Sequence, residues 1–457
     1  MLHLTNGRSW SDAPIQRSSA LTERVIDRDR GAGGGGLARG IASAADDHGL
    51  PGEPPSPYRW VVLAGVWLIY ATFGATTVSL APLVGPITQE LGIGHGSMGF
   101  VFGAWQLVFI VSSVPCGMLL DRIGVRIGLL VGVATIALSG VLRSLSVDYF
   151  TLLAAVAVFG IGGPIVSTGA PKIVTRWFRG SERGLAMGLY ITGPAIGSMT
   201  ALSLTNSLLL PALDGNWRRV LVVWASLALA AGLIWMIIAR HPEMQRRETR
   251  TGVTKVSQWG VVRDILHVPA VRVLLAMSVA IFLFNHGLNN WLPEILRSKG
   301  MSSVAAGYWA TVPTLVGLAG SLTLPRLATP ERRYVMLVGL CVSALLATLL
   351  LRAGDGPFLV LGLALQGIAR SSMMTVAMLT LVELPGIGER HAATAGGLFF
   401  SAAEIGGACG PVLMGLIHDA SNGFTMPLGF LSVVAALLAA GALRLRSLAQ
   451  AEATRPA

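Results

Sequence analysis

The sequence predicts an all-α membrane protein with twelve transmembrane helices in two six-helix halves, and three observations support this fold class. Hydrophobic residues make up 53% of the 457 residues and charged residues only 12%, whereas a soluble globular chain carries about 25% charged residues. Apolar stretches of membrane-spanning length follow one another along the chain. The last six of these stretches repeat features of the first six.

Each predicted helix is a stretch of roughly 20 mostly apolar residues, the length needed to cross the hydrocarbon core. The connection between the third and fourth, RSLSVD at 143–148, is short. The predicted spans are 59–84, 96–120, 127–146, 149–171, 184–210, 219–239, 271–296, 303–325, 334–352, 357–382, 392–417 and 424–443.

The repeat is visible in pairs of segments that occur in the same order at a nearly constant offset. FGATTVSLAP at 73–82 and FNHGLNNWLP at 284–293 share the spacing from Phe to Pro, and GLYITGPAIGS at 188–198 resembles GLFFSAAEIGG at 397–407. Parallel repeats of this kind are typical of transporters, whose binding site lies near the membrane midplane between the halves.

The distribution of Lys and Arg predicts the orientation, because these residues are concentrated in cytoplasmic loops. With both termini inside, only six of the 34 basic residues fall in outside segments: Arg143, Arg218, Arg219, Arg297, Lys299 and Arg352. We therefore expect a multi-pass protein of the cell membrane with both termini in the cytoplasm.

The N-terminal residues differ from the rest, since they are rich in Arg, Gly and Ser and lack the apolar core of a signal peptide. Such a composition predicts disorder, and a start codon inside this segment is an alternative. The predicted organisation is a disordered cytoplasmic tail at 1–57, a first half at 58–239, a cytoplasmic linker loop at 240–270, a second half at 271–446 and a cytoplasmic tail at 447–457.

The loop GMLLDRIGVR at 117–126 connects the second and third spans. We expect its first glycine to permit a close helix contact, its second to allow a tight turn, and its aspartate to meet a helix N-terminus or a basic neighbour. An alternative is that its arginines are only cytoplasmic positive charges. The motif residues are Gly117, Asp121, Arg122, Gly124 and Arg126.

This motif resembles the signature loop of the major facilitator superfamily. The resemblance implies the major facilitator fold, with the motif acting as a conformational latch that joins the cytoplasmic ends of the halves and helps to hold the outward-open state. The copy in the second half, at 321–333, has Pro325 in place of the aspartate, so the latch is expected to be asymmetric.

Two further segments, APKIVTRWF at 170–178 and NHGLNNWLPEILRSKGMS at 285–302, resemble the cyanate/nitroimidazole-type transporters and related anion porters. The resemblance covers roughly residues 59–446. Nitrate porters of the family carry an arginine in the second span, where this chain has Gln106. The Arg-x-x-x-Gly motif of proton-coupled drug exporters is also missing, because Val156 stands in the place of its arginine.

One cation stands alone in the tenth span: Arg370 is the only ionisable residue between Pro357 and Val382. An arginine at the centre of a membrane helix is disfavoured by roughly 2.5–3.5 kcal/mol, so it needs a partner or a function. Glu404 is the only acid at a similar depth. Two interpretations remain open: a permanent ion pair between the two, or binding of a substrate anion by Arg370 while Glu404 changes its partner or its protonation.

The seventh span adds a polar cluster in which Asn285 and Asn289, and His286 and Asn290, are spaced i, i+4 and so share helix faces. These groups suit a substrate or, equally, the packing of neighbouring helices. The predicted substrate-binding residues are Arg370, Asn285, Asn289, Tyr70 and Gln106, and the predicted proton carriers are Glu404 and His286.

These features predict a secondary transporter that takes up a small anionic solute with protons, as a monomer in the lipid bilayer. The alternatives are efflux of a drug-like organic compound and, in another class, a non-transporting membrane sensor or scaffold. Nucleic-acid binding is not expected, because the basic residues lie in short runs between apolar segments. No enzyme motif, cofactor site or cluster of metal-ligating residues at a metal-binding spacing is found in the sequence.

Overall fold

The computed structural model describes residues 56–248, 263, 265–329, 332–353, 356–384 and 387–453. Residues 1–55 of the predicted tail, and residues 249–262 and 264 of the predicted linker loop, lie outside the described residues. Every regular element in the described part is helical. The described chain from Tyr58 onward forms a single compact unit.

Twelve helices cross the unit, although only ten uninterrupted runs are long and apolar enough to span a membrane among the described residues. One of the ten runs, His95–Ser144, contains two helices. One further helix, at 303–327, is divided into two pieces and is therefore not among the ten. The helices are α1 (Tyr58–Val78), α2 and α3 (His95–Ser144, divided at Gly124), α4 (Tyr149–Trp177), α5 (Gly180–Leu204), α6 (Trp217–Ala239), α7 (Pro269–Ser298), α8 (Ser303–Trp309 and Val312–Leu327), α9 (Arg333–Ala353), α10 (Pro357–Val382), α11 (Gly388–Ser421) and α12 (Thr425–Ala453).

The predicted fold class, an all-α membrane protein with two six-helix halves, is confirmed, and the differences lie at helix ends. α1 continues through Ala81–Leu83 and Val84–Leu91, beyond the predicted end at 84. α4 passes through Pro171, where the prediction ended it, because a membrane helix tolerates a proline whose freed backbone groups are satisfied by neighbours. The predicted tail at 447–457 is helical as far as Ala453.

The division between α2 and α3 has a clear backbone cause. Gly124 has φ 79° and ψ 161°, a conformation that is essentially restricted to glycine. Next to it, Arg126 donates from Nη1 to the carbonyl of Ala239 at the end of α6, at 3.1 Å. Trp235 Nε1 donates to the carbonyl of Arg126 at 3.0 Å. The turn predicted at Gly124 is therefore present and is fixed against α6.

The break in α8 follows from Pro313, the second residue of its longer piece. Proline has no N–H to continue the preceding helix and is favoured in the first turn of a new one. The short piece before it begins with a capped end, because Ser302 Oγ accepts a hydrogen bond from the backbone N–H of Ala305 at 3.2 Å.

Equivalent glycines bring equivalent helices together in the two halves. A Cβ added to Gly197 of α5 would collide with the carbonyl oxygen of Ala71 in α1, and one added to Gly406 of α11 would collide with that of Val279 in α7. Such close backbone approaches are typical of membrane helix pairs. The internal repeat is thus expressed in the packing as well as in the sequence.

Close contacts between the halves lie toward the end of the bundle opposite the chain termini. On α2 and α11, a Cβ added to Gly99 would lie 2.5 Å from the Pro411 carbonyl oxygen. On α5 and α8, one added to Gly307 would lie 2.5 Å from the Leu202 carbonyl oxygen. Nearer the termini, on the same face of α2, a Cβ added to Gly117 would by contrast have nothing within 4 Å among the described residues. The halves therefore meet at one end and separate toward the termini.

Candidate functional site

Three side chains from three helices converge where α2 and α11 begin to separate. Gln106 of α2 contacts His286 of α7, with 3.2 Å between Nε2 and Nδ1. Gly407 of α11 makes room for them, since an added Cβ would lie 3.2 Å from Glu404 Oε2 and 3.4 Å from both Gln106 Cγ and His286 Cδ2. One predicted substrate-binding residue and both predicted proton carriers thus form a single cluster between the halves.

The Gln106–His286 contact depends on protonation. As oriented, the Gln106 amide N–H donates to Nδ1 of His286, which requires that nitrogen to be an acceptor. The Oε1 atom of Gln106 is buried and has no hydrogen-bond partner among the described residues. Protonation of Nδ1 would require the amide to turn over so that Oε1 accepts from it. A flip of the Gln106 side-chain amide can therefore accommodate protonation of His286 at Nδ1.

Glu404 is buried in this cluster, with 8% of its surface exposed. Its Oε2 atom has no hydrogen-bond partner within the described part of the chain. An ionised carboxylate in such a place is costly unless a cation or hydrogen-bond donors accompany it. The charge state of Glu404 therefore depends on whether a cation or hydrogen-bond donors lie next to it.

Arg370 lies on α10 and is half-buried. Its Nη1 donates to Thr314 Oγ1 of α8 at 3.1 Å, and its backbone carbonyl accepts from Asn285 Nδ2 at 3.5 Å. Among the described residues, no acid lies within ion-pair distance of Arg370, so the permanent ion pair with Glu404 is not formed in this conformation. Most of the five N–H donors of the guanidinium remain available.

The asparagines of α7 divide into two kinds. Asn290 is buried, and its Nδ2 donates to the backbone carbonyl of His286 at 3.0 Å, so it packs within its own helix. Asn285 and Asn289 are half-buried. The Oδ1 atom of Asn285 is buried and has no partner among the described residues. Asn285 therefore stands beside Arg370 with an unused acceptor.

Tyr70 lies in the first half, away from Arg370, and is connected to the cluster through aromatic side chains. Its hydroxyl donates to the Ser167 carbonyl at 3.3 Å. A series of rings with centroids 5.1–6.0 Å apart leads from it to His286: Tyr70, Phe73, Phe159, Trp105 and His286. Tyr70 begins an aromatic wall and has no direct contact with the cluster.

Arg143 was counted among the basic residues of the outside segments, but the structure buries it inside the bundle. α3 continues to Ser144, and Arg143 is 1% exposed. Its Nη1 donates to the Thr76 carbonyl at 2.8 Å and to Ser79 Oγ at 3.2 Å, near the end of α1. The only sequence signal was a cation in the last turn of a predicted helix, which does not distinguish a loop from a buried position.

The contacts seen at the signature loop lie within the first half. Asp121 forms an ion pair with Lys172 of α4 at 2.9 Å, which fulfils the expectation of a basic neighbour. Arg122 is exposed. A Cβ added to Gly117 would have nothing within 4 Å. The close helix contact expected at Gly117 is therefore absent in this conformation, because the halves are apart at this end.

The chain is similar to known membrane transporters over most of its length. The model of the Major Facilitator Superfamily matches residues 66–331 and 287–457. The uncharacterized transporter YycB of Bacillus subtilis (strain 168) is 28% identical over 84% of this chain and 92% of its own. The D-galactonate transporter of Escherichia coli O6:H1 is 23% identical, covering 83% and 94%. The 2-nitroimidazole transporter of Escherichia coli (strain K12) is 27% identical, with the same 83% and 94% coverage.

Solved structures show the same fold. A bacterial homologue of the human lysosomal transporter Spinster, in an inward-facing and unoccupied conformation, aligns with a TM-score of 0.69 at 16% identity, covering 86% of this chain and 98% of that chain. The nucleoside transporter NupG aligns with a TM-score of 0.72 at 12% identity, covering 85% and 99%. The family match and the fold agree: this chain belongs to the Major Facilitator Superfamily and is a multi-pass membrane transporter, not an enzyme.

Proposed function

We propose that the protein carries a small organic anion into the cell together with protons, and that Arg370 binds the anion. We propose that it acts as a monomer in the cell membrane; the distribution of Lys and Arg supports an orientation with both termini in the cytoplasm. With that orientation, the conformation described here is closed to the outside and open to the cytoplasm. The cluster of Gln106, His286 and Glu404 lies where the opening ends.

The observation that carries this proposal is an arginine without an acidic partner in the middle of the membrane. Arg370 contacts the Thr314 hydroxyl and no acid among the described residues, and it is half-buried. A planar guanidinium with free donors matches a carboxylate or phosphate through two parallel hydrogen bonds. Intramembrane ionisable residues of transporters commonly mark the substrate pathway.

The relatives support a carboxylate of polar character. One of them is a D-galactonate transporter, and galactonate is a carboxylate with several hydroxyl groups. Asn285, next to Arg370, has an unused Oδ1 acceptor that suits a substrate hydroxyl. Asn289 lies one turn further along the same face of α7. A sugar acid would place its carboxylate on Arg370 and its hydroxyls on these amides.

Proton coupling is proposed to arise from competition for Arg370. α7 connects the two groups, because Asn285 touches the backbone of Arg370 while the neighbouring His286 lies beside Glu404. A neutral Glu404 leaves Arg370 to the anion, whereas an ionised Glu404 attracts the guanidinium and displaces the anion. His286, held by Gln106, is the second candidate carrier. Substrate and proton would then be released together on the cytoplasmic side.

The signature loop is proposed to act in the opposite conformation. When the halves approach at the cytoplasmic end, Gly117, now facing open space, can accept a close helix, and the exposed Arg122 can reach the second half. The Asp121–Lys172 ion pair belongs to the conformation described here.

The proposed activity is tested by uptake of labelled galactonate into proteoliposomes under an imposed pH gradient, alkaline inside. We expect uptake by the unchanged protein and a loss of affinity of roughly tenfold or more in Arg370→Lys, because the two-bond contact is lost. Arg352→Lys is the matched control, since Arg352 is exposed on α9. Uptake that needs no Arg370, or an absence of uptake across a panel of sugar acids, would refute the proposal.

Efflux of a neutral, drug-like compound is the second candidate, and the aromatic wall beside His286 favours it. The rings of Trp105 and His286 lie edge to face with centroids 6.0 Å apart, and such an aromatic lining suits a planar molecule. A 2-nitroimidazole transporter is among the relatives. In this case cells expressing Arg370→Ala would still be resistant to the compound, whereas Trp105→Ala would make them sensitive.

A further inference from the structure

At the outer end of the interface between the halves, three metal-ligating side chains meet outside the substrate site. His95 is the first residue of α2, and His418 and Asp419 lie in the last turn of α11. Asp419 Oδ1 is 3.5 Å from His95 Nδ1 and 3.3 Å from His418 Nδ1. Ligand atoms of all three lie within 4.8 Å of one another.

The two distances from Asp419 fit one tetrahedral metal ion. Ligand atoms bonded to a single Zn²⁺ at about 2.0–2.1 Å in tetrahedral geometry lie about 3.3 Å apart. Two imidazoles and a carboxylate form a donor set preferred by Zn²⁺ and similar transition-metal ions, with water completing the coordination. The observed separations of 3.3 and 3.5 Å are close to this value.

The surroundings hold the three ligands in place. The Asp419 carboxylate accepts the backbone N–H of His95 at 3.1 Å and that of Gly96 at 2.7 Å, which fixes its orientation at the N-terminus of α2. The imidazole rings of His95 and His418 have centroids 3.8 Å apart, so they must turn apart for one nitrogen of each to reach the same ion. Phe424 packs on His418 with 4.4 Å between ring centroids.

The site is reachable from water and is not blocked by an unpaired cation. The side chains of His95 and His418 are 24% and 16% exposed, and that of Asp419 is 40% exposed. The arginine whose charge acts on His95 is Arg297. This arginine is paired with Glu294 at 2.9 Å.

We propose that His95, His418 and Asp419 bind a transition-metal dication of the Zn²⁺ class and that the bound ion holds the outer gate closed. His95 belongs to the first half, and the other two residues belong to the second. Opening to the outside requires α2 to move away from α11, which would separate the ligands. A bound ion would therefore stabilise the conformation that is open to the termini and arrest the transport cycle.

The binding test is calorimetric titration of the purified protein with Zn²⁺. We expect one saturable site, a loss of affinity of roughly tenfold or more in His95→Ala and in His418→Ala, and no change in His267→Ala. His267 is an exposed histidine near the start of α7, outside the site. Melting curves recorded without metal show whether each variant is folded. Equal Zn²⁺ affinity in all four folded proteins, or no saturable binding by the unchanged protein, would overturn the proposal.

The gating claim has its own readout, which does not depend on knowing the solute. Spin labels at Val147→Cys and Ser421→Cys, both exposed at the outer end, report the distance between the halves in a background without the native cysteines. Zn²⁺ should narrow the distance distribution toward its short component, and His95→Ala should abolish this effect. A distribution that Zn²⁺ leaves unchanged while it binds at the site would refute the gating role.

Discussion

At the scale of single residues, two intramembrane arginines have opposite surroundings. Arg143 is 1% exposed, and its Nη1 donates to the Thr76 carbonyl and the Ser79 hydroxyl, while its Nε is buried without a partner among the described residues, so no ligand can reach it. Arg370 is half-buried and contacts the protein through one hydroxyl. A fully buried cation that is bonded to its own half has a structural role, whereas a partly exposed one with free donors is available to a ligand.

The structural role of Arg143 is tested by Arg143→Leu. The Thr76 carbonyl would lose its donor in a buried place, so we expect the free energy of unfolding to fall by about 1–3 kcal/mol. The measurement is a melting curve in detergent. Arg352→Leu is the matched control, because Arg352 occupies the equivalent position in α9 and is exposed. Equal melting temperatures for the two variants would show that the Arg143 contacts contribute nothing.

The sequence singled out the residues of the candidate site by charge and polarity but not their contacts. Arg370 and Glu404 stand out because ionisable residues are rare in apolar spans. The contact of Gln106 with His286 joins residues 180 positions apart. It depends on how α2 and α7 are rotated against each other, and the apolar pattern of a membrane helix does not specify this rotation. For the same reason, the sequence did not predict that His95, His418 and Asp419 lie close together.

At the scale of elements, the helices were predictable because length and apolar composition define a membrane span. α10, at Pro357–Val382, agrees with its prediction at both ends. α8 was predicted as one span, but it is broken at Pro313. In a membrane, prolines both interrupt and remain within helices, as Pro171 does in α4, so sequence alone does not decide between the two.

The turn between α2 and α3 provides the prediction at this scale. Gly124→Ala would force a side chain into a backbone conformation that costs on the order of 1–3 kcal/mol, so we expect a lower melting temperature. The methyl group added by Gly117→Ala, in the same motif, would have nothing within 4 Å, so this variant should have the melting temperature of the unchanged protein. A Gly124→Ala variant as stable as Gly117→Ala would show that the turn relaxes without strain.

At the scale of the whole molecule, the sequence repeat predicted two similar halves, and equivalent glycines at Gly197 and Gly406 pack them in the same way. Which end of the interface is closed was not predictable. The same apolar and small residues serve the conformations open to either side, and only the packing of α2 on α11 shows the one present here. Function follows from this arrangement, because a site reached from one side at a time is what alternating access requires.

The central claim, that Arg370 binds a transported anion, is tested most directly by comparing uptake and melting temperature in four proteins: unchanged, Arg370→Ala, Glu404→Ala and the double variant. We predict that both proteins lacking Arg370 fold but transport no anion. Glu404→Ala should still exchange the anion across the membrane without responding to a pH gradient. A folded double variant that transports the anion normally would contradict the account, because the two residues would then be a dispensable structural pair.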